Sequence, residues 1–276
     1  MTTTPDPSTD PTQRDWAAEA VRVMRRLRAP DGCPWDHRQT HHSLKKHLVE
    51  ETCELLDAID QDKPDEIEDE LGDLLLQVLF HSQIAAEAGH FDFQGVARRL
   101  TRKLVRRHPH VFNDASADTP DAVVQQWEQI KNEERGGERD ALLDGIPTQL
   151  PALATAQKLQ KRAADVGFDW DTIDPVLEKI EEELGELRQA MRAENEADRA
   201  AVKHELGDLL FALVNLSRFL DVDAEDALRQ CNHRFRRRFR HVEQCVNHSG
   251  RAFAEHSLDE LDQYWEQAKN RETHAP

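Results

Sequence analysis

The sequence predicts an all-α protein made of two tandem copies of one helical bundle. Three observations predict it. Apolar residues recur at the 3.6-residue period over long runs, Val-Ile-Thr alternations of the kind that make strands are scarce, and one acidic pattern is written twice. Glu50-Glu51-x-x-Glu54 is followed by Glu70-Leu71-Gly72-Asp73, and Glu182-Glu183-x-x-Glu186 by Glu205-Leu206-Gly207-Asp208. A chain of 276 residues has room for two halves that each bury a core.

Taken in order, residues 1–13 are rich in Pro, Thr, Ser and Asp, carry too little apolar content to fold, and read as a disordered lead. The first helix is expected near Arg14, opening an N-terminal helical domain over 14–135. Breaks fall at Pro30-Asp31-Gly32, Lys63-Pro64-Asp65, Gly89-His90 and His108-Pro109, where Pro and Gly interrupt the period. Cys33-Pro34-Trp35-Asp36 reads as a turn leading into the first acidic helix. Gly136-Gly137 through Pro147 to Pro151 reads as a linker over 136–151, and a second helical domain occupies 152–276. Beyond the acids, Lys103, Arg106 and Arg107 match Arg234, Arg237 and Arg238. Each group is followed by His-Val, and Trp127 with Lys131 matches Trp265 with Lys269. The order acid, acid, base, tryptophan thus recurs, as a tandem duplication requires. Pro109 is expected to break the basic helix in the first copy where the second runs on through Arg240.

Acids three and four residues apart share a helix face, so each copy brings two acidic faces from successive helices within reach of each other. Two carboxylates ~4 Å apart repel by roughly 4 kcal/mol at an effective dielectric of about 20, so four together need a cation or open water. Open water fits poorly, because Leu71, Leu74, Leu75, Val78 and Leu79, like Leu206, Leu209, Leu210, Leu213 and Val214, form an apolar stripe beside the acids that is expected to face a core. Gly72 and Gly207, inside these helices, are expected to permit close helix approach beside a metal. The oxygen-only donor set selects Mg²⁺ or Mn²⁺ over Zn²⁺. His37, His41, His42 and His47 are not expected to form a zinc site, since no C-x-x-C pair accompanies them. Arg234, Arg236, Arg237 and Arg238 offer bidentate phosphate contacts, and Trp265 offers a face on which a base can stack. Metal, phosphate clamp and platform together describe a nucleotide polyphosphate site.

Composition bounds the alternatives. A net charge of -18 repels nucleic acid and anionic membrane, so the Arg run at 234–240 is not read as a nucleic-acid patch. Cys33, Cys53, Cys231 and Cys245 form no C-x-x-C pair, and neither a signal peptide nor a long apolar run is present, so the expectation is a cytoplasmic protein with free thiols.

These motifs, with Cys33-Pro34-Trp35-Asp36, Arg107-His108-Pro109-His110-Val111-Phe112 and Trp265, make the chain resemble the MazG family of two-domain nucleoside triphosphate pyrophosphohydrolases over nearly everything after residue 14. The resemblance implies an all-α fold, usually a homodimer. It implies Mg²⁺-dependent cleavage of NTPs or dNTPs between the α and β phosphates, releasing NMP and pyrophosphate and clearing surplus or aberrant nucleotides. Carried over residue by residue, it makes Glu183, Glu186, Glu205 and Asp208 the metal ligands. It makes Lys179, Glu182, Lys203, the Arg234–Arg238 segment and Trp265 the nucleotide contacts, with Glu182 the candidate for holding the attacking water. The first half has His47 where the second has Lys179 and Glu68 where it has Lys203, so a triphosphate is expected to be processed mainly by the second half. The rival reading is a helical module that senses nucleotide or docks a partner without turnover.

Overall fold

The computed structural model describes residues 15–113, 115–135, 141–192 and 196–273. The expected disordered lead at 1–13 and the first part of the expected linker lie outside them. The chain forms two compact units that divide between Gly136 and Gly137. The described residues are 76% helical, and no strand occurs among them.

The first unit contains α1 (Trp16–Leu27), α2 (Pro34–Arg38), α3 (Lys45–Asp60), α4 (Pro64–Glu87), α5 (Phe93–Arg107), α6 (Pro109–Phe112) and α7 (Pro120–Arg135). Local chemistry sets the boundaries. Asp15 and Asp92 cap α1 and α5 by accepting from the N–H of Ala18 and Gly95, and Pro64 opens α4 at a position that needs no donor. α3 and α4 pack as a pair, with α1 and α5 against α4. Their core joins Met24, Leu44, Leu79 and Phe80. The segment expected as a simple turn at Cys33 is instead the short helix α2, with Pro34 in its first turn. Gly32 precedes it where a Cβ would sit 2.3 Å from the Leu27 carbonyl oxygen, so only glycine fits.

The second unit contains α8 (Ala152–Ala164), α9 (Asp174–Ala190), α10 (Glu196–Phe219), α11 (Ala224–Ser249) and α12 (Leu258–Thr273). α9 pairs with α10 as α3 does with α4, α8 packs on α10, and α11 and α12 form a hairpin. α11 is continuous through the stretch where Pro109 separates α5 from α6. Residues 141–151, expected to belong to a linker, are tied to this unit. Arg162 of α8 donates to the carbonyls of Asp144, at 2.6 Å, and Leu142.

Two expectations about the central helices fail. Leu79 and Val214 are buried, but Leu71, Leu75 and Val78 on α4, and Leu206, Leu210 and Leu213 on α10, are exposed within one chain. These helices carry apolar residues on more than one face, and their own unit covers only one of them. Gly72 and Gly207 belong to the uncovered side. A Cβ at either would meet nothing within 4 Å, so neither marks a close approach of helices within the chain.

Candidate active site

In the second unit, α9 supplies Lys179, Glu182, Glu183 and Glu186, and α10 supplies Glu205 and Asp208. The three- and four-residue spacings align each set on one face, and the α9–α10 pairing brings the faces together. Carboxylate oxygens of Glu183, Glu186 and Glu205 all lie within 4.8 Å of one another. Glu183 is only 6% exposed; its Oε1 accepts from the Lys179 ammonium at 2.8 Å, while its Oε2 is buried with no partner. A buried carboxylate oxygen left unsatisfied is costly, and three converging carboxylates repel, so the arrangement fits a divalent cation. Loss of surrounding water, then the charges of Glu183 and Glu205, push the Glu186 carboxyl above its ordinary range. Lys179 also bonds Glu182 at 3.0 Å, and its hydrogen bonds to Glu183 and Glu182 push the ammonium pKa up, so it is charged at neutral pH.

Asp208 pairs with His204, one turn back on α10, at 2.7 Å, and groups with His204 and Glu205. It shares the wall of a cavity of about 580 Å³ with Lys179 and Glu183. Lys203 is exposed and does not line this cavity.

None of the residues lining the cavity comes from α11 or α12. Arg237 and Arg238 bond Glu272 across the hairpin at 2.7 and 2.9 Å, and Arg238 lies over the Trp265 ring, which packs against Phe235 at 5.2 Å. Arg234 is exposed on α11. The clamp and platform foreseen from sequence are thus a cluster of their own. The first unit repeats it: Arg106 and Arg107 bond Glu134, and Arg107 lies over Trp127.

Sequence reasoning missed the other wall of the cavity. Phe168 and Trp170 line it from the loop after α8, with Gln160 of α8 and Phe211, Asn215 and Arg218 of α10. Gly167, at φ +87°, turns the chain out of α8, and Asp169 anchors the loop through two bonds to Arg218 at 2.8 and 2.5 Å. A signal was present. The tryptophans of Gly32-x-x-Trp35-Asp36 and Gly167-x-x-Trp170-Asp171 stand 35 residues ahead of Glu70 and Glu205 respectively, and so belong to the repeat.

In the first unit Glu51, Glu54 and Glu70 likewise converge within 4.8 Å. Burial and then neighbouring carboxylates push Glu51 and Glu70 up, and Glu70 Oε2 is buried without a partner. His47 stands in the place of Lys179 and pairs with Glu50 at 2.9 Å.

Fold and site define a class: a duplicated helical bundle whose paired helices carry a carboxylate centre, with a lysine and an aromatic-lined cavity beside it in the second copy. The MazG nucleotide pyrophosphohydrolase domain matches the chain twice, over residues 39–112 and 172–243. A nucleoside triphosphate pyrophosphohydrolase/pyrophosphatase MazG of Thermotoga maritima is 47% identical over 251 residues, 91% of this chain and 94% of that protein. A nucleoside triphosphate pyrophosphohydrolase of Escherichia coli K12 is 47% identical over 254 residues, covering 91% and 96%. One of Mycolicibacterium smegmatis is 40% identical over 174 residues, 62% of this chain and 53% of that protein. The chain belongs to the MazG nucleotide pyrophosphohydrolase family and is an enzyme of that class. Among the described residues no helix is long and apolar enough to cross a membrane.

Proposed function

We propose that the second half hydrolyses nucleoside triphosphates, ribo or deoxy, between the α and β phosphates, giving NMP and pyrophosphate with Mg²⁺ or Mn²⁺ as cofactor. The observation that carries this reading is the buried Glu183 carboxylate, one oxygen on Lys179 and the other unpartnered, at the meeting point of Glu186 and Glu205. Glu183, Glu186, Glu205 and Asp208 would hold the ion. Bound there, it supplies Lewis-acid stabilisation of charge on the phosphoryl oxygens.

The chain's own residues do the rest. Glu182 is exposed beside Lys179 and holds a water in line with the α phosphorus. The water oxygen bonds phosphorus, its proton passes to the Glu182 carboxylate, and the bond from the α phosphorus to the bridging oxygen breaks. Lys179, kept charged by its two glutamates, neutralises the departing pyrophosphate, with Lys203 adding to the local positive field. Arg234, Arg237, Arg238 and Trp265 enter this scheme as nucleotide contacts on the family resemblance alone. Such an enzyme removes unwanted nucleotides in the cytoplasm, and four free thiols fit a reducing compartment. It acts as a homodimer, for which the uncovered apolar face of Leu206, Leu210 and Leu213 is the contact surface.

Product analysis with a panel of NTPs and dNTPs tests the reaction. NMP and pyrophosphate are expected with Mg²⁺ and no turnover with EDTA; NDP and orthophosphate as first products would place cleavage at the wrong bond.

A further inference from the structure

The cavity beside Lys179 is charged at one end and aromatic at the other. Lys179, Glu183 and Asp208 form the first end; Phe168, Trp170 and Phe211 dominate the second. Resting on the reading above, we infer that the aromatic end is the base pocket of the nucleotide, with Trp170 as its stacking surface and Gln160 as its hydrogen-bond acceptor.

A triphosphate whose phosphates lie at Lys179 and the carboxylates must direct its nucleoside somewhere. Only the base is flat and apolar enough to gain from an aromatic wall, and stacking of that kind accepts every base because each has a π face. A cavity of about 580 Å³ lies within the range of small-molecule sites, roughly 300–1,000 Å³. Trp170 and Phe168 are 43% and 83% exposed, so ring surface is accessible on both. Their loop is nonetheless held in place by the paired Asp169–Arg218 bonds, so the rings are displayed on a fixed support.

Gln160 gives an independent indication. It is 8% exposed, and its Nε2 donates to the Phe211 carbonyl at 2.7 Å. A carbonyl can only accept, which fixes the amide and leaves Oε1 as the acceptor still to be satisfied; that oxygen is buried without a partner in a residue of the cavity wall. A buried acceptor calls for a donor, and every common base carries an N–H on its pairing edge. Asn215 lines the same cavity, and its carbonyl oxygen is taken by Arg218 at 3.0 and 2.9 Å, so it has its amide N–H groups to offer.

The tryptophan at the same repeat position in the first unit, Trp35, is 53% exposed but has other rings against it. Trp35 packs edge-on to Phe80 at 6.3 Å and to His47 at 6.0 Å. Phe80, 3% exposed, stands ten residues after Glu70 as Asn215 stands ten after Glu205. A core ring thus contacts Trp35 from the repeat position that Asn215 holds beside the cavity.

The test is steady-state kinetics of the full-length enzyme, Trp170→Ala and Trp170→Phe on ATP, GTP, CTP and UTP, with ribose 5-triphosphate as the base-free substrate. Trp170→Ala is expected to raise KM for all four nucleotides by roughly tenfold or more with kcat within about threefold, and Trp170→Phe to recover most of the loss. The base-free substrate should not distinguish wild type from either variant. An unmoved KM in Trp170→Ala, or an equal rise for the base-free substrate, would overturn the base pocket. Wild-type release of NDP and orthophosphate would instead overturn the reaction on which it rests. Gln160→Leu is expected to raise KM for the nucleotides and spare the base-free substrate; an equal effect on both would remove Gln160 from the pocket.

Discussion

The two halves hold the same four acids at the same helical spacing and differ in what stands around them. In the second, a lysine bonds the central glutamate and an aromatic cavity opens beside it. In the first, a histidine takes the lysine's place and Trp35 is engaged with Phe80 and His47. The central glutamate itself is 6% exposed as Glu183, while Glu51 is only half-buried. Carboxylate convergence is therefore the easy part of the design, since duplication copies it whole. On the proposed assignment of activity to the second half, what separates its centre from the first is the permanent positive charge and the space for a substrate. The Arg-Arg-Glu-Trp cluster teaches the opposite lesson. It is built alike in both halves, on Glu134 and on Glu272, and it ties two helices together in each. An element that looks the same in both halves cannot be what distinguishes their centres.

The largest effect should come from removing ligands on one side only. Glu183→Gln or Asp208→Asn is expected to lower triphosphate hydrolysis by about 100-fold or more with unchanged helicity by circular dichroism. Glu51→Gln combined with Glu54→Gln should leave the rate within about twofold. The reverse pattern would move the active centre to Glu51, Glu54, Glu70 and Asp73. Next in size, Lys179→His makes the second centre resemble the first at its cation. Its kcat/KM is expected to fall about tenfold at pH 8, where imidazole is neutral. A rate unchanged at that pH would show that the cation does not separate the halves.

A fragment tests whether the second half stands alone. Because Arg162 bonds the carbonyls at 142 and 144 and Leu143 lines the cavity, residues 141–276 should dimerise and keep most of the activity. A fragment of 152–276 should be less stable, as read by thermal melting. Equal melting temperatures would show that 141–151 acts only as a linker.

The smallest effect concerns pH. Hydrogen bonds from Arg107 and then Arg106 hold the Glu134 carboxyl at about 2. A carboxyl lowered on folding stabilises above its unfolded pKa and loses that contribution as pH falls toward the folded value. Stability tied to this cluster should therefore fade between about pH 4.5 and 2, and Glu134→Gln should flatten that part of the melting-temperature profile. The carboxylate centres have the opposite sign. Glu51, Glu70 and Glu186 are raised, so without metal they favour folding at low pH and lose that as pH climbs past the ordinary carboxylate range. The melting-temperature gain from added Mg²⁺ should accordingly be largest near neutrality and shrink below about pH 5, where protons compete for the same oxygens. A gain independent of pH would mean that the ion binds elsewhere.

The sequence by itself determined the helices, their duplication and the acidic faces, because those depend on spacings of three and four residues along one helix. Local rules also placed the breaks at Pro64 and Pro109 and the matched basic and tryptophan elements. Only the tertiary structure decided which acids meet, how deeply Glu183 is buried, and that Arg237 and Arg238 are engaged with Glu272. It alone showed that the tryptophan beside the carboxylates is Trp170, since that loop is held by Arg218, 49 residues further along the chain. The exposed leucines of α4 and α10 belong here as well. Periodicity says that a face is apolar, but what covers it depends on packing between segments far apart in sequence, and in this chain one such face is left open.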